Sequence, residues 1–214
     1  MPDLTREAEK SRAAKVALRD RLLTSRRALT PSSLASAALA IQDQALSLVR
    51  RDNHPTVAAY MPVGREPGGT DLVTLLSARA RVLLPVLLPD NDLDWAAYPS
   101  ATPSRLVAAP RGLLEPDGPR LGVTAVREAT LVFVPALAVD RRGMRMGRGG
   151  GSYDRALARL TGNSFVVALL HDGELVDHVP AEPHDRPVHA AITPSGGLTV
   201  FGTVLGAHGP ESPR

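Results

Sequence analysis

The stretch ATLVFVPALAVDRRGMRMGRGGGSYDRAL, residues 129–157, joins an apolar run to a loop that contains five glycines. The apolar run predicts the strongest strand of the chain, buried inside a sheet. The residues from Ser152 onward predict a helix that is entered directly from the glycines. A strand, a glycine loop and a helix in this order indicate an α/β fold, in which ligands bind at the carboxyl ends of the strands.

The segments around this stretch continue the alternation of strands and helices. Residues 7–28 and 30–51 predict two helices, the second opened by Pro31 with Ser32 or Ser33 near its N-cap. A third helix is predicted to start near Thr70. Strands are predicted at TVAAYM (56–61), RVLLPVLL (81–88), LDWAAY (93–98), SFVVALL (164–170), VHAAIT (188–193) and GLTVFG (197–202), the last two as an edge hairpin.

Residues 99–122 contain five prolines and predict a long ordered loop with short elements. No internal repeat or long linker divides the chain. We therefore expect one three-layer αβα domain over residues 1–204, with a mostly parallel, doubly wound central sheet and an N-terminal helical pair. Residues 205–214 are predicted to be a disordered tail.

The composition excludes several classes of protein. The chain has 214 residues, of which 43% are hydrophobic, and it contains no cysteine. The lack of cysteine excludes disulfides, zinc–thiolate sites and thiol nucleophiles. Because the N-terminal segment is charged and no run approaches the roughly 18 apolar residues of a membrane span, we expect a soluble, unexported protein of the cytoplasm.

Basic residues concentrate in two segments. Residues 1–30 hold eight basic and four acidic residues, and residues 141–159 hold six arginines with Asp154 as the single acid. The rest of the chain holds 11 basic and 17 acidic residues. Two basic segments on an acidic body are typical of a site for a small polyanion, whereas nucleic-acid binding would favour a broad basic face.

The glycine loop itself suggests a phosphate site. Its glycines allow backbone N–H groups to converge on phosphate oxygens, beside the start of the following helix. The loop is not a Walker motif, because no Gly-Lys-Ser/Thr occurs in it. It does not match the dinucleotide fingerprint either, because Ser152 stands where the last glycine would fall. A flexible turn with solvated arginines remains the alternative.

Several charged residues have both a functional and a structural interpretation. Asp154 is either a magnesium ligand or a helix N-terminal acid that pairs with Arg155 or Arg148. Lys15 and Arg19 are four residues apart, so that on a helix they either grip a phosphate together or form a solvated basic face.

The remaining candidates lie in predicted loops. Asp185 is a second possible metal ligand, although a turn aspartate is the favoured interpretation, and His184 and His189 are predicted to be surface histidines. Glu66 and Glu115 either accept hydrogen bonds from a polar ring or are ordinary loop carboxylates.

The stretch FVPALAVDRRGMRMGRGGGSYDRAL, residues 133–157, resembles the hallmark of the 5-formyltetrahydrofolate cyclo-ligases, also called methenyltetrahydrofolate synthetases. In that family a strand ends in a proline-containing turn, followed by Asp, Gly, Arg and a Gly-Arg-Gly-x-Gly loop that runs into Tyr-Asp. Four other segments are similar to family motifs, and the likeness spans roughly residues 10–202: KVALR (15–19), YMPVGREPGGTDL (60–72), GLLEP (112–116) and VPAEPHDRPVHAAIT (179–193).

The resemblance implies a ligase that uses ATP and magnesium to convert 5-formyltetrahydrofolate to 5,10-methenyltetrahydrofolate. The formyl oxygen is phosphorylated, N10 closes on the activated carbon, and ADP and phosphate are released. The small folate is the expected partner, with no nucleic acid and no membrane, and the protein is expected to be a monomer.

The resemblance also assigns residues by their positions in the motifs. Arg148 and Lys15 are the catalytic candidates, Asp154 and Asp185 the magnesium ligands, and Glu115 a further candidate. ATP is expected to contact Lys15, Arg19, Arg145, Met146, Gly147, Arg148, Gly149, Gly150, Gly151, Ser152 and Tyr153. The folate is expected to contact Glu66, which would hold the pterin, together with Arg148, Gly149, Gly150, Gly151 and Ser152.

Two positions depart from the family pattern. Ser152 stands where many members have an aromatic residue, and His189 stands where the family often has a second aspartate. Neither lies in the phosphate loop, so the resemblance supports the ATP site more strongly than the folate pocket.

Two other functions compete with this hypothesis. RRGMRMGRGG, residues 141–150, is similar in composition to an RNA-binding Arg-Gly segment, but such segments favour interleaved aromatics and disorder. A sugar-phosphate isomerase on a similar sheet would bind a phosphate at the glycine loop and would need no ATP.

Overall fold

The computed structural model describes residues 3–98 and 106–202, with side chains from residue 9 onward. The predicted tail over 205–214 and the first part of the predicted 99–122 loop lie outside the described residues. The helices are α1 (Asp3–Ala28), α2 (Pro31–Asp52), α3 (Leu72–Ser77) and α4 (Ser152–Ala158), with 3-10 turns at Pro110–Gly112 and Ala125–Glu128. The strands are β1 (Thr56–Ala58), β2 (Arg81–Leu87), β3 (Leu93–Ala97), β4 (Leu106–Ala108), β5 (Leu114–Pro116), β6 (Leu131–Pro135), β7 (Ala138–Asp140), β8 (Arg145–Met146), β9 (Phe165–Leu169), β10 (Leu175–Val176), β11 (Ala190–Thr193) and β12 (Gly197–Val200).

Seven strands form the central sheet in the order β12-β11-β9-β6-β1-β2-β3. The strands from β11 to β2 are parallel to their neighbours, and β12 and β3 are antiparallel edges. The chain moves from β1 through β2 to one edge and then returns to β6 on the other side of β1. The predicted doubly wound sheet and its edge hairpin are therefore confirmed, and the order reverses between β1 and β6.

Apolar side chains cover both faces of the central sheet. On one face Ile41 and Leu48 of α2 pack in a cluster with Phe133 and Ile192. On the other face Leu157 of α4 belongs to a cluster with Trp95, Val126 and residues of β6 and β9. This arrangement agrees with the predicted three layers. None of the helices within the described residues is long and apolar enough to cross a membrane.

Helix α1 packs on a separate, smaller sheet rather than beside α2 on the central one. That sheet has the order β10-β7-β8, and its residues Ala138 and Met146 cluster with Leu22 of α1. The two N-terminal helices exist as predicted, but α2 packs on the central sheet and α1 packs on the smaller sheet. Helix α1 therefore lies against the segment that carries the glycine loop.

Three local predictions need correction. The apolar run over 129–139 is two strands, because the chain leaves the central sheet after Pro135 and the Ala136 carbonyl accepts a hydrogen bond from Arg26 instead of from a strand. The N-cap of α2 is Thr30, whose hydroxyl accepts the Ser33 N–H, rather than Ser32 or Ser33. Helix α3 begins at Leu72 without a side-chain cap, two residues later than expected.

Candidate functional site

A cavity of about 990 Å³ opens where the order of the central sheet reverses. Its lining includes residues that follow β1 and β6, among them Tyr60 and Ala136, together with α1, the glycine loop and the segment 182–186. Ligands in doubly wound folds bind at the carboxyl ends of strands, at such a switch point. The volume lies at the upper end of the range for small-molecule pockets, which leaves room for two ligands.

The glycine loop forms one wall of this cavity and requires its glycines. Gly149 and Gly151 have φ values of 99° and 68°, a region that residues with a Cβ rarely adopt. A Cβ on Gly149 would also lie 3.2 Å from Nη2 of Arg19. Arg19 donates from Nε to the Gly147 carbonyl over 3.4 Å, so the two basic segments of the sequence meet here.

Arg145 supports the loop from beneath. Its Nη2 donates to Oδ1 of Asp154 over 2.9 Å, and its Nη1 donates to the Pro135 carbonyl over 3.2 Å. The guanidinium carbon lies 5.9 Å from the centre of the Tyr153 ring, within reach of a cation–π contact. The Arg145 side chain is only 3% exposed and Met146 is buried, so the stretch 141–150 is anchored in the fold although Arg141, Arg142 and Arg148 are exposed. Asp154 pairs with Arg145. The alternative prediction, in which Asp154 pairs with Arg155 or Arg148, is therefore wrong about the partner.

Lys15 joins α1 to the C-terminal acidic segment. Its Nζ lies 2.6 Å from Oδ2 of Asp185 and 2.8 Å from Oε2 of Glu182. Burial by itself lowers the pKa of Lys15, but the hydrogen bonds and charges of the two carboxylates outweigh it and hold that pKa above its usual value. The hydrogen bond from Lys15 in turn holds the pKa of Glu182 below its usual range. Lys15 is therefore a fixed cation at the cavity wall.

The acidic segment also forms a group of possible metal ligands. One ligand atom each of Glu182, His184 and Asp185 lie within 4.8 Å of one another. Asp154 is adjacent, because its Oδ1 accepts the backbone N–H of Arg186 over 3.1 Å. Among the described residues, Oδ2 of Asp154 and Oδ1 of Asp185 accept no hydrogen bond, and Oδ1 of Asp185 lies 3.7 Å from Nε2 of His184, so each acid keeps one oxygen for a cation.

Glu182 was missed by the sequence analysis. The signal that could have identified it is local, since it lies three residues before Asp185 and its N–H donates to the Asp185 carboxylate over 2.6 Å. His184 is exposed, as predicted.

Glu66 lines the cavity from the loop after β1. Its Oε2 accepts the Val63 N–H over 3.0 Å, and its Oε1 lies 3.2 Å from Nε of Arg148. The Arg148 side chain is 60% exposed, whereas Glu66 is largely buried. The pair joins the loop after β1 to the glycine loop. The structure thus brings Glu66 and Arg148 together, although they are 82 positions apart in the sequence.

Tyrosine hydroxyls near Glu66 remain protonated. Burial is the main reason that the pKa of Tyr60 lies well above its usual value, and the charge of Glu66 raises it further. The same two causes raise the pKa of Tyr153. The Tyr60 hydroxyl donates to the Pro67 carbonyl over 2.8 Å, which fixes the backbone of the loop beyond Glu66.

The cavity wall formed by β2, β3 and the 111–115 segment is mainly apolar. Glu115 is buried there, and its Oε1 accepts the Leu87 N–H over 2.9 Å. The leucines of this wall are Leu87, Leu93, Leu113 and Leu114. Ser152, at the start of α4, also lines the cavity and supplies no ring there. An aromatic or heterocyclic ligand fits such a wall better than a polyanion does.

His189 does not line this cavity and is partly buried, so its prediction as a surface histidine holds only in part. Its Nδ1 accepts the Val166 N–H over 2.9 Å, and its ring stacks on Phe165 with centroids 5.6 Å apart. Burial lowers its pKa, which keeps the ring neutral near pH 7. Its role in the structure is packing at the central sheet.

A buried ion pair that the sequence did not reveal ties α1 to the cavity. Nε of Arg26 lies 2.6 Å from Oε1 of Glu174, and both side chains are 5% exposed. Glu174 also accepts the His171 N–H, and Nε2 of His171 lies 2.9 Å from the carbonyl of Arg65, next to Glu66. No motif marks these residues, because Arg26 and Glu174 are 148 positions apart.

Comparisons with known proteins agree with the resemblance seen in the sequence. A family model described as the 5-formyltetrahydrofolate cyclo-ligase family matches residues 11–194. A 5-formyltetrahydrofolate cyclo-ligase of Mycolicibacterium smegmatis is 47% identical over 152 residues, which cover 68% of this chain and 77% of the relative. A 5-formyltetrahydrofolate cyclo-ligase of Haemophilus influenzae is 30% identical over 164 residues, which cover 75% of this chain and 87% of the relative.

Solved structures share the fold at lower sequence identity. The NMR structure of Aquifex aeolicus 5,10-methenyltetrahydrofolate synthetase has a TM-score of 0.71 and 23% identity, and covers 91% of this chain and 95% of its own. A 5,10-methenyltetrahydrofolate synthetase from Mycoplasma pneumoniae has a TM-score of 0.66 and 19% identity, and the match covers 83% of this chain and 96% of that structure. The predicted fold class is confirmed.

Proposed function

This chain belongs to the 5-formyltetrahydrofolate cyclo-ligase family, and we propose that it converts 5-formyltetrahydrofolate to 5,10-methenyltetrahydrofolate with ATP and magnesium. One observation carries the proposal. A single cavity has a cationic glycine-loop wall, a group of acidic side chains and an apolar wall. These three features match a polyphosphate, a divalent cation and a heterocycle, which are the three components of the reaction.

The phosphates of ATP would lie against the glycine loop. Lys15 and Arg19 supply fixed positive charge from α1, and the backbone N–H groups of Gly149, Gly150 and Gly151 supply donors. Phosphoryl transfer depends on positioning and on neutralising the charge of the transferring group. Arg145 acts from beneath by holding the loop, while Met146, Gly147, Ser152 and Tyr153 complete the nucleotide wall.

Magnesium would bind to Asp154 and Asp185. Magnesium prefers oxygen ligands and keeps several waters, so two carboxylates with one oxygen each available suit it. Magnesium held by these acids would neutralise part of the charge of the ATP phosphates. Glu182 is a third oxygen donor beside Asp185, and Lys15 screens the repulsion between these acids.

The folate would lie between Glu66 and the apolar wall. The Glu66 carboxylate can accept hydrogen bonds from pterin N–H groups, and its partner Arg148 lies on the loop that faces the phosphates. We assign Arg148 to the formyl oxygen as that oxygen attacks the γ-phosphorus and ADP leaves. N10 then attacks the activated carbon and loses its proton, and phosphate leaves to give the methenyl product. Holding N10 close to this carbon accelerates the closure.

The proposal is tested by following the methenyl chromophore with purified protein, 5-formyltetrahydrofolate, ATP and magnesium. We expect turnover that requires both ATP and magnesium. Arg148→Ala should lower kcat about a hundredfold, because it removes a charge placed where negative charge develops. Arg79→Ala serves as the control and should leave kcat unchanged, because Arg79 is exposed, follows α3 in the sequence and does not line the cavity. The absence of turnover in the wild-type protein, or equal rates in Arg148→Ala and wild type, would contradict the proposal.

A further inference from the structure

The arginines that line the cavity differ in how their charges are compensated. Five of the eight are ion-paired with a carboxylate. Within residues 9–98 and 106–202, the three without a carboxylate partner are Arg19, Arg111 and Arg186. Arg19 lies against the glycine loop and Arg186 follows Asp185, so both belong to the phosphate end. Arg111 is the exception, because it lies on the 3-10 turn between β4 and β5.

The structure holds Arg111 in place without neutralising it. Its Nη2 donates to Oδ1 of Asn91 over 2.7 Å, and an amide oxygen carries no net charge. Asn91 belongs to the turn between β2 and β3, and its carbonyl accepts a hydrogen bond of 2.5 Å from Nη2 of Arg155. Arg111 has φ 64°, which is uncommon for a residue with a side chain, so its backbone direction is fixed by the turn. Arg111 is exposed, so its positioned guanidinium is accessible to a carboxylate or phosphate, with which arginine forms strong hydrogen bonds.

The surroundings of Arg111 indicate which anion it takes. Leu113 and Leu114 follow it in the chain, and they line the cavity with Leu87 and Leu93 of β2 and β3. Leu114 is 44% exposed, so together with the other three leucines it leaves apolar surface open to a ligand. The complementary ligand has an apolar ring for the leucines and a carboxylate beyond that ring.

We propose that Arg111 binds a carboxylate of the glutamyl group of the folate substrate, with the benzoyl ring of that substrate against the leucine wall. This assignment rests on the proposed function, since 5-formyltetrahydrofolate carries its glutamyl group beyond the benzoyl ring. An ATP phosphate is the other possible anion. The leucine wall argues against it, because a triphosphate gains nothing from apolar side chains, and Lys15 and Arg19 of α1 offer it positive charge elsewhere in the lining.

The test compares two ligands that differ only in the glutamyl group. Dissociation constants are measured by calorimetry for 5-formyltetrahydrofolate and for the primary carboxamide of 5-formyltetrahydropteroate, in which an uncharged NH2 replaces the glutamyl group, with magnesium and a non-hydrolysable ATP analogue present. For Arg111→Gln we expect the Kd of the folate to rise about fivefold, as for one partly exposed charge-assisted contact. The Kd values of the pteroate compound and of the ATP analogue should not change.

Two further variants sharpen the result. Asn91→Gly keeps the positive φ at that position but removes the amide that orients Arg111, so it should weaken folate binding by a smaller factor. Arg79→Gln, outside the cavity, is the matched charge control and should have no effect.

The outcomes separate this inference from the function it rests on. If wild type binds both folate compounds and Arg111→Gln weakens both equally, weakens neither, or weakens the ATP analogue instead, the glutamyl assignment is overturned. If wild type binds neither compound, the proposed function fails and the assignment falls with it.

Discussion

The central sheet and helix α1 are held in place by different forces. Phe133 of β6 and Ile192 of β11 are fully buried among apolar neighbours on the sheet face. In residues 9–28 of α1, by contrast, only Leu22 and Arg26 are buried. The remaining contacts of α1 that define the cavity are ionic or polar, through Lys15 and Arg19. The fold therefore depends on apolar burial, which salt and pH hardly affect. The shape of the site depends on charged contacts, and both salt and pH change the strength of those contacts.

The largest expected effect comes from opening a void in the central sheet. Phe133→Ala removes a fully buried ring, and such truncations cost about 3–5 kcal/mol of the free energy of unfolding. Urea denaturation followed by circular dichroism measures it. Leu39→Ala, at a side chain that is 68% exposed on α2, is the control and should change stability by less than about 0.5 kcal/mol. If the two variants were equally stable, the sheet would not be the stabilising region.

An intermediate effect is expected from the buried ion pair under α1. Glu174→Gln leaves the Arg26 guanidinium buried without its counter-charge, and breaking such a pair costs about 3 kcal/mol. The KM for ATP should rise as well, because α1 carries Lys15 and Arg19. Urea denaturation and steady-state kinetics measure the two effects.

The matched variant for this pair is Arg26→Met combined with Glu174→Met. Replacing both charges by apolar side chains is often close to neutral, so the double variant should recover most of the lost stability. Recovery is incomplete because Ala136 O and His171 N lose their partners. A double variant less stable than Glu174→Gln would refute a pairing penalty as the cause.

The smallest effect concerns Lys15 and depends on pH. The pKa of Lys15 is raised, so its contribution is complete below its unfolded-state value of about 10.4 and is lost as pH rises through the folded-state pKa. The pKa of Glu182 is lowered, so its contribution is present above its unfolded-state value of about 4.3 and is lost as pH falls through the folded-state pKa. The Tm difference between wild type and Lys15→Met should be constant between these limits and shrink outside them.

Thermal melts of both proteins over a series of buffers measure this profile. Lys10→Met, at an exposed lysine of the same helix, provides the control and should show no such plateau. A Tm difference that is independent of pH from acid to alkali would rule out the Lys15 contacts as its source.

Much of the fold could be predicted because its signals are local. The order of strands and helices follows from apolar runs such as those at 131–135 and 165–169, and the edge hairpin at the C-terminal end follows from its glycines. The break of the run over 129–139 had a local signal in Pro135, but the hydrogen bond from Arg26 to the Ala136 carbonyl could not be predicted, because the two residues are 110 positions apart. The stacking of the partly buried His189 on Phe165 likewise joins residues that are distant in the sequence.

The sequence by itself determined the alternation of elements, the glycine loop and the candidate residues, since spacing, propensity and motif similarity are properties of neighbours along the chain. The tertiary structure decided which charges meet. Lys15 binds Asp185 and Glu182, and Asp154 binds Arg145 rather than Arg148 or Arg155. Arg111 meets no carboxylate among the side chains that the structure describes. The reason is physical, because ion pairing depends on distance in space, and the folded sheet brings together side chains that lie up to 170 positions apart.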